Sequence, residues 1–405
     1  MNKIVLSALA ALTIGTLSAT AGDVKFYTDD NGQVFTTAGE GRTELKTKTT
    51  PVSAKASKLK FSGKHYLGYT YRDYKDLDDG TKEKSTSGFE ARRNYLQVKA
   101  YFLEDPKSYF RVTLDALTTH YAADKYEPES AGYHNVYVKY GYLYLNDILP
   151  NTGVEIGMAH RPWNDYESSA GWNMRSISKV FTEASEGAHI MNSADLGFNF
   201  KTKTDYFTSE LGVFNGEGYH ADDGDNLSVG MSGEWRLTAA VLGNGKKKRK
   251  PSATYLDASF FGIVNQHAGD NGDEDFTMMG AHAVYNMPSF LLSAQYVTSD
   301  SDNSNNSSTS SQFNGNGYSV NGTFRLGSKK EFSVFARYDR WEAENEMDNE
   351  KYQTDSTIYG VAWQQNKNVK WLVSGQTYDT KDEKNYKGST THDWQSAMVT
   401  AEVKW

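Results

Sequence analysis

The feature that most constrains this chain is a two-residue alternation of apolar and polar side chains that returns along most of its length. At the C-terminus, Ala397, Val399, Ala401, Val403 and Trp405 occupy one parity, and the other turns polar through Thr400, Glu402 and Lys404. A period of two is the pattern of a strand with two unlike faces. Leu59, Phe61, Leu67, Tyr69 and Tyr71 stand opposite Lys60, Ser62, Lys64, Thr70 and Arg72 in the same way. So do Phe110, Val112, Leu114 and Ala116 opposite Arg111, Thr113 and Asp115, and Tyr318, Val320, Phe324 and Leu326 opposite Ser319, Asn321, Thr323 and Arg325. Each run is about the 9–11 residues a tilted membrane strand needs. Sixteen runs are found, starting near residues 58, 89, 108, 134, 152, 193, 205, 228, 252, 275, 289, 316, 331, 355, 368 and 393. The runs near 205 and 275 are the least regular, which leaves fourteen or eighteen strands as alternatives.

Composition becomes informative at this point. Mean hydropathy is −0.67 and no apolar run in the body of the chain is long enough for a spanning helix. A barrel needs only every second residue to face lipid, so such a chain can still cross a membrane. Gly is used 35 times, Tyr 27, Phe 19 and Pro only 7, a strand-rich usage. A secreted sandwich or β-helix shares that composition, and link length separates them from a barrel. With the C-terminus placed in the periplasm, the inner links are 366–367, 327–330, 286–288, 243–251, 202–204, 146–151 and 104–107, all short except 243–251. The outer links are 378–392, 341–354, 298–315, 267–274, 217–227, 161–192, 121–133 and 74–88, all long except 267–274. This sorting is what membrane barrels show. The expected fold is therefore all-β, a transmembrane antiparallel β-barrel of sixteen strands, wide enough for an aqueous channel.

The N-terminus reads as export. Lys3 precedes the apolar stretch Ile4 to Ser18, and Ala19-Thr20-Ala21 fits a cleavage site after Ala21. A short membrane anchor is the alternative, but the run is shorter than a spanning helix requires. The expected organisation is a signal peptide over 1–21, a periplasmic extension over 22–57 and the barrel over 58–405. The extension carries Asn31-Gly32, a hairpin turn signal. The absence of Cys excludes disulfides and thiolate metal sites.

Strand parity lists the lumen. Inward basic residues would be Lys60, Lys64, Arg72, Arg93, Lys99, Arg111, Lys139, Lys201, Arg236, Arg325, Arg337 and Lys370. Inward acids would be Asp115, Glu155, Asp195, Glu210, Glu234, Asp257 and Asp339. Basic residues outnumber acids inside a chain whose formal charge is −8, and rings of Arg or Lys favour anions in pores. Pairing between these groups would cancel that preference. The longest outer link, Arg161 to Asn192, holds Trp163, Trp172, Met174, Ile177, Val180 and Phe181, too apolar for a disordered segment. Its expected role is a third outer loop folded inward to narrow the pore, with Arg161, Arg175 and Lys179 as eyelet candidates; packing over the rim is the alternative.

The remaining motifs are bland. Acidic clusters at Asp222-Asp223-Gly224-Asp225 and at 270–275 lack EF-hand spacing and read as solvated loops. The basic run 246–250 reads as a solvated periplasmic turn, because nucleic acid is not a partner of an exported chain. No linear hydrolase, metalloprotease or phosphate-loop motif occurs, and His65, His160, His189 and His282 stand without evident carboxylate or Ser spacing. No catalysis, cofactor or metal is expected. The expected partners are outer-membrane lipid and lipopolysaccharide, further copies of the chain, and small hydrophilic solutes or anions. A general or cation-preferring porin is the alternative transport reading, and a structural or adhesive surface barrel is the rival from another class.

Ala91-Arg92-Arg93-Asn94-Tyr95-Leu96-Gln97-Val98-Lys99, the segment 108–116, Ile156-Gly157-Met158 leading into Arg161-Pro162, Ala194-Asp195-Leu196-Gly197 and Val213-Phe214-Asn215-Gly216 occur in that order. Over residues 59–405 this resembles the phosphate-selective porin O and P family. The resemblance implies a bacterial outer-membrane porin, trimeric, with sixteen strands and a constricting third loop. The family's arginine ladder does not match residue by residue; Arg93 and Arg111 are the nearest positions, and Asp115 and Asp195 depart from a phosphate-selective lumen.

Overall fold

A computed structural model of the chain describes residues 27–29, 34–35, 37–44, 56–75, 85–118, 134–216, 218–219, 231–266, 275–302, 314–345, 350–381 and 393–405. The signal segment and the acidic clusters at 222–225 and 270–274 lie outside these residues. The chain divides into two compact units, Met1–Lys55 and Ala56–Trp405. In the first, β1 (Tyr27–Thr28) pairs antiparallel with β2 (Val34–Phe35) and with β3 (Thr43–Glu44), and the Arg42 guanidinium lies 3.5 Å over the Phe35 ring.

The second unit is a closed barrel of sixteen antiparallel strands. In chain order they are β4 (Lys58–Lys75), β5 (Ser85–Tyr101), β6 (Tyr109–Thr118), β7 (His134–Leu149), β8 (Thr152–His160), β9 (Ala194–Lys203), β10 (Phe207–Phe214), β11 (Met231–Leu242), β12 (Tyr255–Gln266), β13 (Asp275–Met287), β14 (Phe290–Asp302), β15 (Gly315–Leu326), β16 (Phe332–Asn345), β17 (Glu350–Gln364), β18 (Val369–Lys381) and β19 (Asp393–Lys404). Every one of the sixteen expected runs is a strand beginning within about five residues of its expected start, including the two least regular. Several strands are longer than expected, so the link expected at 341–354 shrinks to 346–349. Closure is made by β19 against β4, where Trp405 and Gly63 exchange backbone hydrogen bonds of 3.1 and 3.0 Å. A closed sheet has no unpaired edge.

Alternation places one face of each strand outward and exposed. Phe324 is 65 % exposed and Val399 47 %, and they belong to a continuous belt of exposed Leu, Val, Phe and Trp around the unit. A belt of that size on a protein in water would be an aggregation surface.

Two departures from regular alternation matter. A bulge between Tyr66 and Leu67 takes Arg92 out of the register with β4, and a second between Thr113 and Leu114 does the same for Lys139 on β7. Bulges re-aim side chains. Arg92 and Arg93, though adjacent, both reach groups on the inner face: Arg92 meets Met398 and Thr400, and Arg93 meets Asp115.

The link 161–193 between β8 and β9 contains the one described helix, α1 (Asn164–Ala170), and packs on inward residues of β11–β18. Trp163 stacks on Phe261 at 3.6 Å, Phe181 meets the edge of Trp341 and Trp172 that of Phe335. These strands therefore carry apolar side chains on the inner face as well, among them Ile263, Met278, Val297, Ile358 and Leu372. Aromatic rings dominate the energetics, since each buries roughly 150–250 Å². Polar ties fix the register: Tyr255 Oη donates to the Ala170 carbonyl at 2.8 Å and Arg337 Nη1 to that of Lys179 at 2.6 Å.

The link 243–254 is not the free solvated turn expected from its charge. Arg249 is held bidentately by the buried Asp257 at 2.6 and 2.7 Å, and Asn286 and Arg325 donate to the Pro251 carbonyl from the inner face.

Candidate functional site: the lumen beside the inward loop

With β11–β18 covered by the loop, the open part of the lumen lies against β4–β9. A cavity of about 540 Å³ is bounded there by the strand wall on one side and by Asn164, Asp165, Ser168, Arg175 and Ser193 of the loop on the other. Its cationic groups are Lys64, Lys99, Arg111, Lys139, Arg175, Lys201, Lys203 and Lys248, against the carboxylates of Glu155 and Asp165.

The strand register creates this imbalance. Lys60 pairs across strands with Lys99, Lys99 with Arg111, and Lys404 with Lys64. Like charges directly opposite each other destabilise a sheet, so such a row is a local cost that packing alone does not explain. Lys64, Lys99, Arg111 and Lys139 form no ion pair among the described residues. Each instead lies on a tyrosine: Lys99 is 4.0 Å from the Tyr109 centroid, Arg111 4.6 Å from Tyr140, Lys139 5.0 Å from Tyr219 and Lys64 5.1 Å from Tyr66. A cation–π contact orients a cation without neutralising it.

The rest of the expected inward cations divide by partner. Lys201 lines the cavity but is shared between Glu155 at 3.0 Å and Glu210 at 3.3 Å. Arg93 pairs with Asp115 at 2.5 Å, Arg236 with Glu210 at 2.9 Å, Arg337 with Asp339 at 2.5 Å and Lys370 with Glu402 at 3.0 Å. Arg325 holds the 243–254 link, Arg72 lies over Trp394 at 4.0 Å, and Lys60 is exposed at the end of β4. Among the loop candidates, Arg161 is tied to Glu234, Lys179 faces Glu183 at 3.7 Å, and Arg175 alone reaches the cavity while bound to Glu183 at 2.6 Å. Burial alone would raise the Glu183 carboxyl; Arg175, Lys179, Lys139 and Arg93 outweigh it and hold it well below the usual carboxylate range.

Parity misses two members of the site, Lys203 by its place at a strand end and Lys248 by the inward fold of its turn. It also misses Arg92, which the bulge hides and which reaches the inner face outside this cavity. The histidines are also better partnered than spacing suggests. His282 Nε2 lies 2.8 Å from Ser293 Oγ, and His160 Nδ1 lies 2.8 Å from Glu155 Oε2. Glu155 and His160 are five positions apart and would face opposite ways in a regular strand, but Gly157 between them takes φ 122°, a conformation open to glycine.

No known family description and no curated protein matches the chain. Solved structures match in fold. The anion-selective porin from Comamonas acidovorans aligns with a TM-score of 0.59 at 13 % identity, over 86 % of this chain and 99 % of that one. Salmonella typhi OmpF, solved in complex with daunomycin, gives 0.58 at 11 % identity over 87 % and 99 %, and Pseudomonas putida OprB 0.54 at 10 % over 87 % and 95 %. At such identities the likeness is one of architecture.

Proposed function

We propose that this chain is an outer-membrane porin, a water-filled diffusion channel for small hydrophilic solutes that prefers anions. The outward apolar belt calls for lipid, and a closed barrel satisfies every backbone group inside a bilayer. A barrel of sixteen strands leaves room for water. The short links and the C-terminus then lie in the periplasm and the long links outside, facing lipopolysaccharide. In this reading the signal peptide is removed after Ala21, residues 22–57 stay periplasmic, and three copies assemble.

The observation that carries the anion preference is the in-register row Lys60, Lys99 and Arg111, flanked by Lys64 and Lys139, none of them paired with a carboxylate among the described residues. One solved barrel of this architecture is named an anion-selective porin, which supports the reading. Phosphate preference, which the family resemblance implies, is the narrower case. The test is a channel carrying Lys99→Gln, Arg111→Gln and Lys139→Gln. Its reversal potential under a salt gradient should fall from the anion side toward zero. Unchanged selectivity would place the preference elsewhere, and a cation-selective native channel would favour the acidic outer loops as the selectivity element.

A further inference from the structure

Four of the lumen arginines on the strands differ in what holds them. Arg93, Arg236 and Arg337 are each bound by a carboxylate, so their charge is cancelled where it stands. Arg111 is bound by neutral acceptors only. Its Nε donates to Thr113 Oγ1 at 2.9 Å, and its Nη1 donates to Tyr142 Oη at 3.1 Å and lies 3.2 Å from His160 Nε2. Nη2 has no hydrogen-bond partner among the described residues, and the side chain lines the cavity.

The state of His160 follows from its two neighbours. Glu155 Oε2 can only accept, so the proton of the ring sits on Nδ1, 2.8 Å away. Arg111 can only donate, so Nε2 is bare and accepts. A ring that bonds both groups is the neutral Nδ1–H tautomer; it is wedged against Tyr140 at 4.2 Å and buried. It also occupies Oε2 of Glu155, and the other oxygen of Glu155 is taken by Lys201 Nζ at 3.0 Å. Without the ring, Glu155 Oε2 loses the group that stands between it and Arg111 Nη1, and a buried carboxylate and guanidinium that can meet will pair.

We infer that His160 is a specificity-determining positioning residue: it stands between Glu155 and Arg111, satisfies both as a neutral relay, and so keeps Arg111 from pairing with Glu155 and leaves its charge available to anions in the lumen. This deepens the anion-channel reading and rests on it. Anion preference then depends on an uncharged side chain, which is an unusual demand and a sharp one. Glutamine can play the same part, because its amide nitrogen donates to Glu155 while its oxygen accepts from Arg111. Alanine can do neither.

The experiment compares full-length refolded channels carrying Arg111→Gln, His160→Ala, His160→Gln and the double change Arg111→Gln with His160→Ala, each checked for native strand content by circular dichroism and each read as an anion-to-cation permeability ratio in planar bilayers. Arg111→Gln should lower the ratio by up to about fivefold, the effect of one unit charge near a solvated path. His160→Ala should lower it comparably although no formal charge at neutral imidazole is lost, and the double change should add little to either. His160→Gln should restore the native ratio. A native ratio in His160→Ala alongside a lowered one in Arg111→Gln would overturn the inference and leave the channel reading intact. Failure of His160→Gln to restore the ratio would also overturn it. If the native channel itself selects cations, the anion reading fails, and this inference with it. A His160→Ala chain that does not fold leaves His160→Gln against Arg111→Gln as the deciding pair: a His160→Gln channel with the same ratio as the Arg111→Gln channel contradicts the relay.

Discussion

Arg93 and Arg111 lie on adjacent strands, both inward, and differ in their partners. Asp115, which binds Arg93, is fully buried, and Tyr137 Oη donates to it as well. Removing the arginine strands a carboxylate, so Arg93→Ala should destabilise the barrel by about 3–5 kcal/mol, read from urea unfolding in lipid. Lys107→Ala, which breaks a 3.8 Å pair with Asp147 between two exposed groups, should change stability by less than about 0.5 kcal/mol. Strand parity is enough to place Arg93, Arg111, Lys64, Lys99 and Lys201 on the inner face, because period two is unforgiving. It cannot tell which of them meets a carboxylate, since that depends on register between strands, nor can it see Arg92, whose face is set by a bulge that leaves no mark in the alternation. The link between His160 and Glu155 is hidden for a related reason, the irregular backbone at Gly157.

The inward loop is an element held by stacking and by buried polar ties. Trp163→Ala should cost about 3–5 kcal/mol of docking and raise both single-channel conductance and current noise as the loop leaves the wall. Glu167 on α1 gives the docking a pH dependence. It is buried with Oε2 unpartnered among the described residues, and burial pushes its carboxyl from 4.5 up to about 7, partly offset by Arg337. A raised carboxyl value means the docked loop binds a proton more tightly than the undocked one. Docking is therefore strongest below about pH 4.5 and weakens as pH rises through 7. Trp fluorescence of the native channel should report that loss between about pH 4.5 and 7.5, and Glu167→Gln should remove the dependence; a native protein with no change over this window would contradict it. The loop's length and its tryptophans are enough in the sequence to say that it packs on something. Its partners are less legible, because apolar residues facing inward on β12–β18 break the rule of a polar lumen and make sense only once the loop covers them.

At the scale of the molecule, alternation repeated sixteen times and links sorted into short and long are sufficient to give the barrel, because an all-antiparallel sheet closes only on an even number of strands and sends alternate links to opposite ends. The last strand closes the sheet through Trp405, whose backbone pairs with Gly63 and whose Nε1 donates to His65 Nε2 at 3.1 Å. Deleting Trp405 should lower stability by roughly 1–3 kcal/mol and reduce refolding yield, measured as the fraction of folded barrel recovered from urea. The inward turn at 243–254 is not legible, since a run of basic residues reads as solvated unless Asp257 is known to face it. The claim on which the rest depends is that the lumen conducts and prefers anions. The most direct measurement is single-channel conductance of the native protein in a planar bilayer, with the reversal potential under a roughly tenfold salt gradient. Discrete large steps that reverse on the anion side are the predicted result; no conductance from correctly folded protein, or reversal on the cation side, would contradict it.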